Sequence, residues 1–381
     1  MQNNMQNELN ELKSKGLYRA LRNVEGAQGA TILIGGREYV NFSSNNYLGL
    51  AGHPDVISAA VEATKLWGAG ASSSRLIAGT MAIHCNLEEE LARFKNCEAA
   101  LVFSSGYQAN LGILSAVLKS GDCIIMDRLN HASLWDGAKL SGARIFAYAH
   151  NDMASLEKTL KRAKNYGKKL IVTDSLFSMD GDIAPLDLIV ELAKRYNALT
   201  MIDEAHATGI FGANGSGLAG QFNLSAKIDI IMGTLSKAMG SQGAYVCGSK
   251  ELVKYLINKS RSFIYSTALA PACAAAALKA IEIIITEPQR RVRVLEISKR
   301  LRDTLKSAGK SFANSQSQIV PMITGTAASA QQFATVLQEH GIFAPAIRPP
   351  TVQGDQCRVR FSLSAEHTDE HISLLTGLIK E

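Results

Sequence analysis

The 381-residue sequence predicts an α/β fold: a mostly parallel sheet with helices on both faces forms a large domain, and a smaller α+β domain follows it. Two observations lead there. Between Ala99 and about Ser249, short apolar runs alternate with amphipathic stretches of helical period, as when buried parallel strands are covered by crossover helices. Beyond about Pro288 the pattern changes to charged helices and more widely spaced strands. The expected units are a helix and hairpin over 1–48, a large domain over 49–287 and a small domain over 288–381.

In chain order, residues 1 to about 22 read as a helix, with Leu9, Leu12, Leu17 and Leu21 at roughly helical spacing. A hairpin follows, Ala30–Ile34 and Glu38–Phe42 about a Gly35-Gly36 turn, because paired glycines suit the positive backbone angles of a tight hairpin. Ser43 to Leu50 is a polar loop containing Asn45 and able to line a site. Pro54 to Trp67 and Asn86 to Phe94 are helical in pattern, separated by a Gly/Ser/Ala-rich loop that holds Arg75. Strands are expected at Ala99–Phe103, Cys123–Met126, Arg144–Ala147, Leu170–Thr173, Thr200–Asp203, Ile228–Met232 and Ala244–Cys247. Helices at Met153–Ala163 and Leu186–Tyr196 fall between them. The small domain has helices at Arg290–Ala308, Ala328–His340 and Thr368–Lys380, with strands at Ile319–Ile323, Ile342–Ala346 and Arg358–Leu363.

Composition narrows the function classes. Hydrophobic content of 46% with 19% charged residues is ordinary for a large-cored α/β enzyme. The net charge of +6 is spread along the chain; it favours an anionic substrate, and without a basic block no nucleic-acid partner is expected. Six scattered cysteines without a Cys-x-x-Cys pair suggest neither a metal site nor disulfides, and reduced thiols fit a cytoplasmic location. The Asn/Gln-rich start is unlike a signal peptide. Lys279 and Glu282 interrupt the most apolar helical stretch, so no membrane partner is expected.

The chemistry is written at the strand ends, where ligands bind in sheets of this kind. A lysine, Lys237, follows the apolar run Ile228–Met232, where desolvation lowers an amine's pKa and frees it to react. Asp203 ends another apolar strand, with His206 three residues on; a carboxylate there needs a cationic partner. Ser105-Gly106-Tyr107 opens a helix after the first strand, a seat for phosphate. His131 follows the second strand and is placed either to stack on an aromatic ring or to cap the next helix. Ser178 lies in the loop after the fourth strand, and Thr234 offers a hydroxyl beside Lys237. Together they suit pyridoxal phosphate, with the lysine bonding its aldehyde and the acid pairing with its ring nitrogen. In Arg358-Val359-Arg360-Phe361 the apolar residues alternate, so both arginines share one strand face. They are either solvated or available as bidentate carboxylate partners.

Over nearly its whole length the sequence resembles the α-oxoamine synthases, a family of fold-type I pyridoxal-phosphate enzymes. The residues that carry this are Asn45-Asn46-Tyr47-Leu48-Gly49-Leu50, Ser105-Gly106-Tyr107, His131-Ala132-Ser133, Phe177 to Asp182, Asp203-Glu204-Ala205-His206 and Thr234-Leu235-Ser236-Lys237. Leu-Ser-Lys stands where some members have Phe-Gly-Lys, which leaves the lysine in place. Ile264 to Thr267 and Ala346 to Val352 are most similar to the biotin-pathway member, which condenses L-alanine with pimeloyl-CoA or pimeloyl-acyl carrier protein. The resemblance implies that Lys237 bonds the cofactor, Asp203 pairs with its ring nitrogen and His131 stacks on it. It also implies that His206 and Ser178 hold the ring and its oxygen, with Gly106, Tyr107 and Thr234 about the cofactor. It further implies a homodimer with shared sites, Thr267 completing the partner's site, and substrate contacts from Arg22, Asn45, His131, Arg348, Thr351 and Arg360. Condensation of glycine with acetyl-CoA, plain transamination and a non-catalytic role are the alternatives.

Overall fold

The computed structural model describes residues 2–380. Its centre is a seven-stranded sheet in the order β3-β9-β8-β7-β6-β4-β5. These strands are β3 (Ala99–Phe103), β4 (Cys123–Asp127), β5 (Arg144–Tyr148), β6 (Lys169–Asp174), β7 (Leu199–Asp203), β8 (Ile230–Thr234) and β9 (Ala244–Gly248). Only β9 runs antiparallel to its neighbours; β5, β4, β6, β7 and β8 pair in parallel. Apolar side chains alternate between two cores, Ile125, Ile171 and Ile202 in one and Ile124, Val172 and Met201 in the other. A sheet packed on both faces needs such near-continuous apolar strands.

An N-terminal hairpin, β1 (Thr31–Ile34) and β2 (Arg37–Asn41), turns through Gly35 and Gly36 at φ 58° and 73°, which a side chain would strain. Its partner is distant in sequence: β2 pairs in parallel with β11 (Ile342–Phe343), forming a three-stranded sheet. A second three-stranded sheet has the order β10-β13-β12, made of β10 (Ile319–Gly325), β12 (Ala346–Ile347) and β13 (Cys357–Ser362). Helices Pro288–Ser307, Ala327–Glu339 and Asp369–Lys380 accompany it.

Several expectations need correction. The first helix ends at Ser14 rather than near residue 22, since Gly16 turns left-handed at φ 64°; position 1 lies outside the described residues. The Asn86 helix begins earlier, at Ala82. The single strand expected at Ile342–Ala346 is two short pieces in different sheets, because Pro345 between them has no N–H to give a ladder. Strand β8 starts two residues late and includes Thr234. Among the described residues no helix is long and apolar enough to cross a membrane.

One ion cluster pins the loop after β6, which carries Ser178. His150 lies 3.1 Å through Nδ1 from Asp127 at the end of β4, and 2.8 Å through Nε2 from Asp182 in that loop. Burial opposes a charge on this ring, but hydrogen bonds and charge from both carboxylates outweigh it and raise its pKa to about 10. A pKa raised on folding gives stability that is complete below the unfolded value, near 6.5, and lost as pH rises through about 10. His150→Asn should therefore lower the thermal midpoint at about pH 6, toward the roughly 3–5 kcal/mol that breaking a buried pair costs. Thermal scans of both proteins should show the gap closing as the pH approaches about 10. A gap that does not change with pH would remove the charge from this explanation.

Candidate active site

Parallel pairing brings the ends of β6 and β7 level, so Asp174 and Asp203 are direct neighbours. Both carboxylates are buried. Asp203 accepts from the Ala205 N–H at 2.8 Å and from Asn110 Nδ2 at 2.9 Å. Asp174 accepts from the His131 N–H at 2.8 Å. Burial first, then the charge of Asp203, pushes the Asp174 carboxyl well above the usual carboxylate range. Like charges on neighbouring strand ends disfavour one another, and here it is ionisation of the Asp174 carboxyl that is opposed.

Lys237 is half-buried beyond β8, with Nζ 2.9 Å from His206 Nε2. Burial lowers its pKa, the carboxylates of Asp203 and Asp174 raise it and Arg360 lowers it, leaving it at about 8. His206 is buried, and burial followed by the charges of Lys237 and Arg360 holds it far below the usual imidazole range, hence neutral. Its Nδ1 meets Tyr47 Oη at 2.7 Å.

His131 caps the Ala132–Ser141 helix, its Nδ1 accepting from the Ser133 N–H at 3.3 Å and lying 2.8 Å from Ser133 Oγ. Its ring is exposed, yet the surrounding protein disfavours the charged form and lowers its pKa. Asn110 also donates to Ser133 Oγ at 2.9 Å, so one amide ties the His131 cap to Asp203. Asn110 comes from the Gly106–Val117 helix, whose N-cap Ser105 accepts from the Gln108 N–H. The first turn of that helix offers the N–H groups of Gly106 and Tyr107, and a helix N-terminus of this kind receives anions. A Cβ on Gly106 would come within 3.2 Å of Met232 Cε on β8, so glycine lets this turn lie close to the sheet. Tyr107 is exposed and donates to Asp136.

Arg358 and Arg360 share one face of β13, as expected, but neither is solvated. Arg358 pairs with Asp180 at 2.7 Å and is thereby satisfied. Arg360 donates through Nε to the Ser178 carbonyl and through Nη1 to Ser362 Oγ at 2.6 Å, and its guanidinium reaches Asn45 Oδ1 at 3.3 Å. Ser178 thus meets Arg360 through its backbone. Thr234 Oγ1 is buried between Gly243 O at 2.9 Å and Ser236 Oγ at 2.6 Å; the exposed hydroxyl at this place is that of Ser236.

Two other expected residues lie together elsewhere. Arg22 and Arg348 line a small pocket of about 70 Å³ with Phe343 and Gln338. The Arg22 guanidinium lies 5.3 Å from the Phe343 ring centroid, and Arg348 donates to the Gly16 carbonyl. Thr351 is exposed in the turn after Arg348. Thr267 is exposed too, bridged to Ser74, with its carbonyl accepting from Ser104 Oγ at 3.0 Å.

The sequence reading passed over Asp174, Asn110, Ser236 and Tyr47. Asp174 had a visible signal, since it ends an apolar strand as Asp203 does. Tyr47 stood within the Asn45–Leu50 stretch that carries the resemblance but was given no role there, while Asn110, inside a helix, had no signal.

The donor set suits a phosphorylated pyridine aldehyde: a helix N-terminus for phosphate, a buried carboxyl group for a pyridinium and a half-buried amine of lowered pKa for the aldehyde. This fold and site define the class of fold-type I pyridoxal-phosphate enzymes. A family model for class I and II aminotransferases matches residues 37–377, and the chain belongs to that family. It is 50% identical over 367 residues to an 8-amino-7-oxononanoate synthase of Geobacter sulfurreducens, covering 96% of this chain and 94% of that one. The synthase of Citrifermentans bemidjiense is 47% identical over 376 residues, 98% of this chain and 96% of its own. Among solved structures, a serine palmitoyltransferase from S. paucimobilis with a bound PLP–myriocin aldimine matches at TM-score 0.93 and 31% identity, over 99% of this chain and 96% of that one. An 8-amino-7-oxononanoate synthase from Francisella tularensis matches at TM-score 0.79 and 30% identity, over 90% and 97%.

The electrostatics of the amine give a direct test. On cofactor-free protein, the rate at which a small aldehyde and reductant modify Lys237 should rise with pH about a midpoint near 8. Asp203→Asn removes a negative charge that favours the ammonium, so the midpoint should fall. An unmoved midpoint would take Asp203 out of the control of this amine.

Proposed function

We propose that this chain is a pyridoxal-phosphate-dependent acyltransferase that condenses L-alanine with a pimeloyl thioester, of coenzyme A or acyl carrier protein, in biotin biosynthesis. The products are 8-amino-7-oxononanoate, CO2 and free thiol. The observation that carries this reading is Lys237, whose amine is held at a pKa of about 8 beside neutral His206, in a chain 45–50% identical to synthases of that name.

Pyridoxal phosphate, when bound, supplies an electron sink that stabilises negative charge at the amino acid's α-carbon. Asp203, held by the Asn110 amide and the Ala205 N–H, would pair with the ring nitrogen and favour a proton there. His131, anchored by its own cap, presents an exposed ring to stack against the pyridine. The Gly106–Tyr107 turn receives the phosphate, with Thr234 and Ser236 beside Lys237. His206 and Ser178 orient the ring's oxygen side. Lys237 Nζ takes the α-proton of alanine, and a base with pKa near the working pH is suited to that transfer. Arg360, with Asn45, holds the alanine carboxylate; its fixed Ser178 and Ser362 contacts leave the Asn45 side of the guanidinium as the binding edge.

Pimeloyl differs from acetyl in carrying a distal carboxylate, which calls for a second cationic place. Arg22 and Arg348 provide one, with Thr351 in the following turn. A homodimer fits the surface: Leu76, Ile77 and Tyr265 are exposed on segments joined by the Ser74–Thr267 bridge. Exposed apolar groups gathered in this way mark an interface, and Thr267 would then face the partner's site.

Crossing alanine and glycine with pimeloyl and acetyl thioesters in a thiol-release assay tests the substrate pair. Alanine with pimeloyl thioester should be much the fastest, and a preference for glycine with acetyl-CoA would move the chain to the ligase reading. Lys237→Ala should abolish turnover while the protein stays folded by circular dichroism. Arg22→Ala or Arg348→Ala should raise KM for pimeloyl thioester roughly ten- to hundredfold, as loss of a charged hydrogen bond of about 1.5–3 kcal/mol implies. Cofactor affinity should not change, and unaltered KM values in both variants would remove this pocket from acyl recognition.

A further inference from the structure

Behind the Lys237–His206 contact is a hydroxyl that the proposed reaction does not use. Tyr47 is completely buried. Its Oη lies 2.7 Å from His206 Nδ1 and 3.0 Å from Asn45 Oδ1, and Arg360 Nη2 approaches it at 3.4 Å. A tyrosine kept only for packing needs one partner for its oxygen, whereas this one has a neutral imidazole, an amide oxygen and a guanidinium.

We infer that Tyr47 is a positioning residue whose hydroxyl lets His206 carry its single ring proton on either nitrogen, so that Nε2 meets Lys237 as acceptor or as donor. A hydroxyl both donates and accepts, and each arrangement finds its partners in this structure. While Lys237 is an ammonium it donates to Nε2. The ring proton is then on Nδ1 and donates to Tyr47 Oη, and the Tyr47 O–H donates to Asn45 Oδ1. When Lys237 is a free amine, Nε2 carries the proton and donates to Nζ. Nδ1 is then bare and accepts from the Tyr47 O–H, while Arg360 Nη2 donates to the tyrosine oxygen. The second arrangement has one proton fewer, lost to solvent from the Lys237–His206 pair, and Tyr47, Asn45 and Arg360 keep their charges. Burial holds His206 neutral throughout, with Lys237, Arg360 and His131 as the basic groups facing it. Lys237 in turn faces Asp203, Asp174 and Arg360. The link to Arg360 also puts the proposed carboxylate-binding guanidinium in contact with the residue that orients the base.

The inference rests on the proposed role of Lys237 as the reactive amine. Its test follows the ring nitrogens of isotopically labelled histidine by NMR, without substrate, in cofactor-free and cofactor-loaded enzyme, with His206→Gln to assign the signal. In the cofactor-free wild type the proton should sit on Nδ1 near neutral pH and pass to Nε2 about a midpoint near 8. In Tyr47→Phe an N–H on Nδ1 would be buried without an acceptor, which is unfavourable, so the proton should be on Nε2 throughout. In the loaded form kcat should fall roughly ten- to hundredfold, as when the group behind a working imidazole is lost. The same crossover in Tyr47→Phe as in wild type would overturn the inference. Should that variant fail to fold, replacing Tyr47 by 3-fluorotyrosine keeps the shape while making the hydroxyl a better donor and poorer acceptor. The crossover should then move to lower pH, and an unmoved one would also overturn the inference. Because the NMR measurement uses no substrate, a wrong alanine or pimeloyl assignment leaves it intact and touches only the kcat readout.

Discussion

Two carboxylates buried side by side at the ends of adjacent parallel strands are the constraint that organises this site. In-register pairing of β6 and β7 leaves Asp174 and Asp203 no distance to separate. Burial and the neighbouring Asp203 oppose ionisation of Asp174, and both acids are surrounded with donors. Asp203 receives the Asn110 amide and a backbone N–H, and Asp174 receives the backbone of His131. Each donor arrives on a different element, so the helix after β3 and the loops after β4 and β7 are drawn to the same point. Asp203 and then Asp174 also counter the effect of burial on the Lys237 amine.

The residue after Asp203 shows the same physics turned to stability. Glu204 is fully buried and paired with Lys95, which is buried in turn and also donates to the Ser216 carbonyl. Burial disfavours the lysine's charge, but Glu204 outweighs it and raises the lysine pKa. Such a pair gives little net stability against an apolar replacement, while loss of one partner is costly. Its effect here is to hold the chain rigid between Asp203 and His206. Adjacent acids in one short run thus have different duties, set by whether a cation is supplied by the fold or left for a ligand.

The small domain reaches the site through β13. Arg358 and Arg360 both grip the loop after β6, one through Asp180 and one through the Ser178 carbonyl. Gln318 donates to the His206 carbonyl at 2.8 Å and Ser317 to the Gly181 carbonyl at 2.9 Å. The loop is also held from the other side by His150 through Asp182. A guanidinium fixed by this many partners is oriented by the protein alone, and a group oriented in advance lowers the ordering cost of any ligand it takes.

The sequence by itself determined the fold class, nearly every strand of the large sheet, and the strand-end positions of Lys237, Asp203, His131 and His206. These are local features: apolar runs declare strands buried on both faces, and residues just past them must lie at the strands' carboxyl ends. The N-terminal hairpin could be read from its Gly35-Gly36 turn, but not its pairing with Ile342–Phe343, because pairing across that span of sequence leaves no local pattern. The broken strand about Pro345 was missed because an apolar run hid the proline's effect. Only the tertiary structure decided which of two similar arginines has a carboxylate partner within the protein. Arg358 and Arg360 look alike in sequence, and Asp180, far along the chain, claims the first. It alone also placed Tyr47 behind His206 and Asp174 beside Asp203, since the duty of a buried polar group depends on which partners the fold brings within hydrogen-bond reach.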